Sequence, residues 1–87
     1  MADYIYMPKL GLTMTEGYIE HWEKEEGDSV QADDVLLVIE NNKAVEEIKA
    51  KSNGVLRKIL VQADETVPVG TPVGILGNAN EDISSML

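Results

Sequence analysis

The chain predicts an all-β fold, a small sandwich or flattened barrel of two antiparallel sheets related by an approximate internal twofold. Three observations carry this reading. Short Val- and Ile-rich stretches are separated by Gly, Pro, Asn and Asp throughout the 87 residues. Sliding the chain on itself by 37 residues places Gly17 on Gly54, Ile19 on Leu56, Trp22 on Ile59, Val30 on Val67, Leu36 on Val73, Val38 on Ile75 and Ile39 on Leu76. Eight apolar positions coincide in that window, where composition alone gives roughly five. Finally, both copies set their core residues three apart, Ile19 with Trp22 and Leu56 with Ile59. This breaks the period of two of a regular strand, and one extra residue in each copy restores it. A β-bulge is therefore predicted near Glu20 and His21, and again near Arg57 and Lys58.

The elements follow in order. The Tyr- and Ile-containing opening predicts a strand over residues 3–7, and a second, carrying Ile19 and Trp22, over 17–24. The turn Glu26-Gly27-Asp28 leads into a short strand at 29–30, and the apolar run Val35 to Ile39 into one at 35–40. Residues 44–50 are rich in Glu, Lys and Ala, which favour helix, but the segment is short and flanked by strands, so a strand is expected there too. Strands at 54–61, 66–68 and 73–77 repeat those at 17–24, 29–30 and 35–40. In the repeated turn Ala63-Asp64-Glu65, Asp64 stands for Gly27 and is expected to take a left-handed conformation. Residues 1–78 form one domain, with 79–87 a tail that frays or begins a connection.

Composition narrows the function classes. Sixteen acidic and seven basic residues give a net charge of −9, which opposes nucleic acid or an anionic membrane as partner. There is no cysteine, hence no disulfide, thiolate nucleophile or cysteine-held metal. No signal peptide or transmembrane run is visible, and a cytoplasmic location is expected. His21 is the sole histidine, with no companion acid or base in the pattern, and is read as a solvent-facing strand residue. Trp22 is read as core. The acidic run Glu20, Glu23, Glu25, Glu26 and Asp28 and the basic set Lys49, Lys51, Arg57 and Lys58 are read as solvated faces. No catalytic and no metal-binding residues are expected.

The repeat puts the polar break Glu40-Asn41-Asn42-Lys43-Ala44 between the halves, at the end of the molecule away from the termini. Asparagines favour tight turns, so Asn42 and Lys43 become the central pair of a hairpin turn, with the lysine ammonium in solvent.

At this point the sequence resembles the lipoyl domains of 2-oxo acid dehydrogenase complexes, the swinging-arm modules of acyltransferase (E2) components. The resemblance covers residues 4–77 and rests on MPKLGLTMTEG at 7–17, Trp22, EGDSV at 26–30, IENNKA at 39–44, Glu47-Ile48, NGVL at 53–56 and VPVGTPVGIL at 67–76. The opening motif is similar to domains of pyruvate- and acetoin-type complexes. The resemblance implies that Lys43 carries lipoic acid as an amide, with Glu40, Asn41, Asn42 and Ala44 as flanking recognition residues. It implies a carrier without catalysis of its own. A lipoate ligase or a lipoyl/octanoyl transferase would attach the group. A thiamin-dependent decarboxylase (E1), an acyltransferase catalytic domain (E2) and dihydrolipoamide dehydrogenase (E3) would be visited in turn.

The family also places the first connection, residues 9–15, beside the lysine hairpin, and Gly11, Leu12 and Thr13 become candidates for partner recognition. The plain alternative is a turn glycine with Leu12 packed locally. Two departures stand out: Asn42 replaces the family's usual Asp, and Lys49 stands where many members have proline. A biotinyl carrier shares the architecture, but that family brackets its lysine with methionines, and here the flanks are Asn42 and Ala44. The glycine-cleavage carrier is longer. An unmodified structural β-sandwich module would need no lysine at this turn.

Overall fold

The computed structural model describes residues 2–41 and 44–87; Met1, Asn42 and Lys43 lie outside the described residues. Eight strands form: β1 (Asp3–Tyr6), β2 (Glu16–Trp22), β3 (Ser29–Val30), β4 (Val35–Glu40), β5 (Val45–Lys49), β6 (Gly54–Ile59), β7 (Thr66–Pro68) and β8 (Pro72–Gly77). They make two four-stranded antiparallel sheets, ordered β1-β8-β6-β3 and β5-β4-β2-β7. The strand expected at 17–24 ends at Trp22, and the one at 54–61 ends at Ile59. Residues 44–50 are strand and not helix.

The twofold is present in detail. Exchanging β1 with β5, β2 with β6, β3 with β7 and β4 with β8 turns one sheet order into the other. The register shifts between Ile19 and His21 in one half and between Leu56 and Lys58 in the other, where the two bulges were expected. A second pair was not anticipated: β4 skips Leu36 against β5, and β8 skips Val73 against β1. Extra residues increase local twist and bend the strands, and here they do so at equivalent points of both sheets.

The left-handed residues obey the same symmetry. Asp64 has φ 71°, as expected from Gly27 with φ 94°; Asp33 (φ 74°) and Gly70 (φ 90°) form a second pair. Aspartate is among the few side chains that tolerate this region. The conformation aims backbone amides inward: Gly27 N donates to Leu56 O at 2.7 Å and Asp64 N to Ile19 O at 2.7 Å. Likewise Asp33 N donates to Ala50 O at 2.8 Å and Gly70 N to Met7 O at 2.8 Å.

Between the sheets lies an aliphatic core containing Met7, Ile19, Leu36, Leu37, Ile39, Leu56, Val73 and Ile75, and among the described residues no polar side chain is buried with it. Trp22 departs from expectation: it is half-buried at the core's edge, packed on the cluster while its Nε1 donates to Val61 O at 3.0 Å. Room for the ring comes from Gly74, where a Cβ would stand 3.0 Å from Trp22 Cη2 and 3.1 Å from Lys58 O.

Residues 78–86 lie against the domain. Arg57 donates to the carbonyls of Asn78 (2.5 Å) and Glu81 (2.7 Å), and Tyr4 Oη donates to Met86 O at 2.8 Å. Ile83 is buried, and a short 3-10 helix spans Ser84–Met86. The Glu81 carboxylate accepts from Ala2 N at 2.7 Å and Asn78 N at 3.3 Å. The two ends of the described chain are thereby tied to one another.

Candidate functional site

Among the described residues, Asn41 and Ala44 close the β4–β5 hairpin. After the last strand pair, Glu40 opposite Val45, Asn41 N donates to Ala44 O at 3.0 Å and Ala44 N donates to Asn41 Oδ1 at 3.0 Å. The predicted central pair, Asn42 and Lys43, lies outside the described residues. Of the flanking candidates, Glu40 and Asn41 are half-buried and Ala44 is exposed.

The internal symmetry carries this hairpin onto the place where Gly77 meets Ala2, so the hairpin and the chain ends occupy twofold-related positions. The symmetry also isolates an insertion. Strands β1 and β5 correspond at an offset of 43 residues, and all later elements at 37, so the first half carries six extra residues after Met7. That insertion is the loop holding Gly11, Leu12 and Thr13.

The loop lies beside the hairpin, the two lining one shallow groove that includes Leu12, Met14, Glu16, Asn41, Ala44 and Glu46. Leu12 is 96% exposed, so it does not pack locally, and a side chain at Gly11 would meet nothing. The loop is turned by Met14 N donating to Gly11 O at 3.2 Å. Met14 is the residue that sequence reasoning missed. Its side chain is buried; its Sδ accepts from Leu10 N at 3.2 Å and from Asn41 Nδ2 at 3.7 Å. Gly17 makes the seat, since a Cβ there would fall 3.1 Å from Met14 Cε and 2.5 Å from Met7 Sδ. Its only sequence signal was its place inside the MPKLGLTMTEG stretch.

Away from the hairpin the other candidates are dispersed. His21 has carboxylate company that the pattern did not reveal: Nε2 is 2.8 Å from Glu23 Oε1 and Nδ1 is 3.4 Å from Glu20 Oε1, all exposed. The bulge in β2 brings Glu20 to the side of His21, whereas Glu23, two residues on, shares its face by simple alternation. The basic set is not one face: Arg57 holds the tail, Lys58 pairs with Glu26 at 3.8 Å, and Lys49 and Lys51 line a separate cleft. Several acidic residues build turns, with Asp28 accepting from Glu25 N and Asp34 from Gln31 N. Tyr18 Oη donates to Asp64 Oδ1 at 2.6 Å, and this bond is the chief cause that raises the phenol pKa above its ordinary value. Among the described residues no group of three or more His, Cys, Asp or Glu could hold a metal ion, and no helix is long and apolar enough to cross a membrane.

Residues 3–76 match the model of the biotin/lipoyl family, described as "Biotin-requiring enzyme". The chain belongs to this family. The domain is 39% identical over 87 residues to the dihydrolipoyllysine-residue acetyltransferase component of the pyruvate dehydrogenase complex of Zymomonas mobilis, covering 99% of this chain and 20% of that protein. It is 42% identical over 77 residues to the corresponding component of the acetoin cleaving system of Pseudomonas putida, covering 86% of this chain and 21% of the other. Among solved structures, the lipoyl domain of the 2-oxoglutarate dehydrogenase complex of Azotobacter vinelandii matches with TM-score 0.74 and 29% identity, over 86% of this chain and 95% of that one. A multi-domain long-chain acyl-CoA carboxylase, 19% identical with TM-score 0.73, shares the fold over 91% of this chain and 7% of its own. The biotin/lipoyl domain thus spans about a fifth of the curated relatives that it matches.

Proposed function

We propose that this biotin/lipoyl domain, read as residues 1–78 with a tail at 79–87, is a lipoyl carrier modified at Lys43. It would serve a pyruvate- or acetoin-type dehydrogenase complex. The observation that carries the reading is a hairpin closed at Asn41 and Ala44 around a lysine, on a scaffold that matches a solved lipoyl domain over 86% of its length. Bound as an amide, a lipoyl group would supply the redox-active, acyl-accepting sulfur pair that a cysteine-free chain lacks.

The chain's own residues contribute placement. Asn41 and Ala44 hold the hairpin closed, and the exposed Leu12 offers a contact beside it. The −9 charge keeps the domain apart from other acidic surfaces. Contacts at each station are expected to be weak and short-lived, since the arm must leave. The partners that follow are a lipoate ligase or transferase, a thiamin-dependent decarboxylase, an acyltransferase catalytic domain and dihydrolipoamide dehydrogenase. Catalysis resides with them.

The test is intact-protein mass after incubation with lipoate ligase, ATP and lipoate, with a parallel incubation with biotin ligase, ATP and biotin. One lipoyl addition, lost in Lys43→Gln, is expected. Labelling that survives the substitution moves the site; labelling by biotin alone favours the biotinyl carrier; no labelling by either favours an unmodified module.

A further inference from the structure

Asn41 and Met14 form a chain of polar contacts from the inserted loop to the hairpin. Leu10 N donates to Met14 Sδ at 3.2 Å, Asn41 Nδ2 donates to the same sulfur at 3.7 Å, and Asn41 Oδ1 accepts from Ala44 N at 3.0 Å. The two ends of the carboxamide are assigned by their partners, because only the NH2 can donate to sulfur and only the oxygen can accept from the amide. The sulfur touches both segments. Its side chain is 9% exposed and sits over Gly17, where any larger residue would displace it. The loop it grips is otherwise an outward excursion, with Leu12 96% exposed and open space where a Cβ at Gly11 would stand. The twofold-related connection between β5 and β6 lacks these six residues, so the clip exists only at the hairpin end.

We propose that Met14 is a positioning residue whose thioether couples the loop to the lysine hairpin, so that a partner gripping the exposed loop receives the hairpin in fixed register. The inference rests on the carrier reading for its functional consequence, but not for the coupling itself. A residue that merely fills the core would be replaced by leucine without loss. A clip would not, because leucine supplies similar volume and no acceptor. Asn41→Asp is the complementary change: it keeps an oxygen for Ala44 N and removes the donor to sulfur.

The experiment uses Met14→Leu, Asn41→Asp and the double variant in the intact chain. Amide hydrogen exchange at Leu10 is read first. Loss of protection by roughly three- to tenfold, the factor one net hydrogen bond confers, is expected in each single variant, with no further loss in the double. Next, each lipoylated variant is assayed for reductive acylation by the thiamin-dependent decarboxylase of a pyruvate complex. A similar, non-additive fall in kcat/KM, with a thermal midpoint lowered by no more than the roughly 4–8 °C that one hydrogen bond is worth in a domain of this size, supports the proposal. Additive effects, wild-type exchange, or altered exchange with unaltered kcat/KM would overturn it. Failure of the wild type to accept lipoate or to be acylated strikes the carrier reading instead, and the exchange arm still decides whether the clip exists.

Discussion

Gly27 and Asp64 occupy the same left-handed backbone position in the two halves of the chain, with φ of 94° and 71°, and each donates its amide to the core strand opposite. The equivalence predicts unequal tolerance. Gly27→Val should lower stability by about 1–2 kcal/mol, since a β-branched residue is strained there. Asp64→Asn keeps a tolerated residue and an acceptor for Tyr18, and should stay within about 0.5 kcal/mol. Urea unfolding of the two variants checks both.

Gly74 and Trp22 make a size-matched pair across the sheets. A methyl at position 74 meets the ring, the Lys58 carbonyl and Ile5 Cδ1 within 3.3 Å. Gly74→Ala should therefore cost about 1–3 kcal/mol by overpacking and push the indole outward. The readout is a red-shifted tryptophan emission with a lowered urea midpoint. An unshifted spectrum at full stability would refute the pairing.

The tail should respond to acid. The hydrogen bond from Ala2 N is the largest cause holding the Glu81 carboxyl below its usual range, and bonds from Ser84, backbone first, do the same for Asp82. A depressed folded pKa stabilises above the unfolded value and is lost as pH falls through the folded one. Tail docking should weaken below roughly pH 4.3, the ordinary glutamate value. Exchange protection at Met86, followed from pH 6 to 3 on the order of one-unit steps, should drop in the wild type and be flatter in Glu81→Gln.

At the opposite extreme, Tyr18 has its pKa raised, chiefly by its bond to Asp64. The sign reverses: this contribution is present below the unfolded phenol pKa, about 10, and disappears as pH rises through the folded value. Ultraviolet titration of Tyr18 should move down towards the free phenol value in Asp64→Ala. No movement would remove the bond from the account.

On the carrier reading proposed above, Asn42 stands immediately before the lysine that is modified. Asn42→Asp should fold as well as the parent, with a melting temperature within about 2 °C, and change reductive acylation more than lipoylation. Equal acylation rates would show that the side chain at 42 does not set recognition.

The sequence by itself determined the strand inventory, the 37-residue repeat, one pair of bulges, the left-handed Asp64 and the lysine break between the halves. All of these are written in residues close along the chain, through the period of two, backbone sterics and turn chemistry. Only the tertiary structure decided the skips at Leu36 and Val73, the room that Gly74 leaves for Trp22, the docking of residues 78–86 by Arg57 and the meeting of Met14 with Asn41. Each depends on how separate segments meet, and none leaves a local signature. A methionine in a turn-rich stretch looks like any apolar residue until the pairing of β2 with β4 brings a carboxamide to its sulfur.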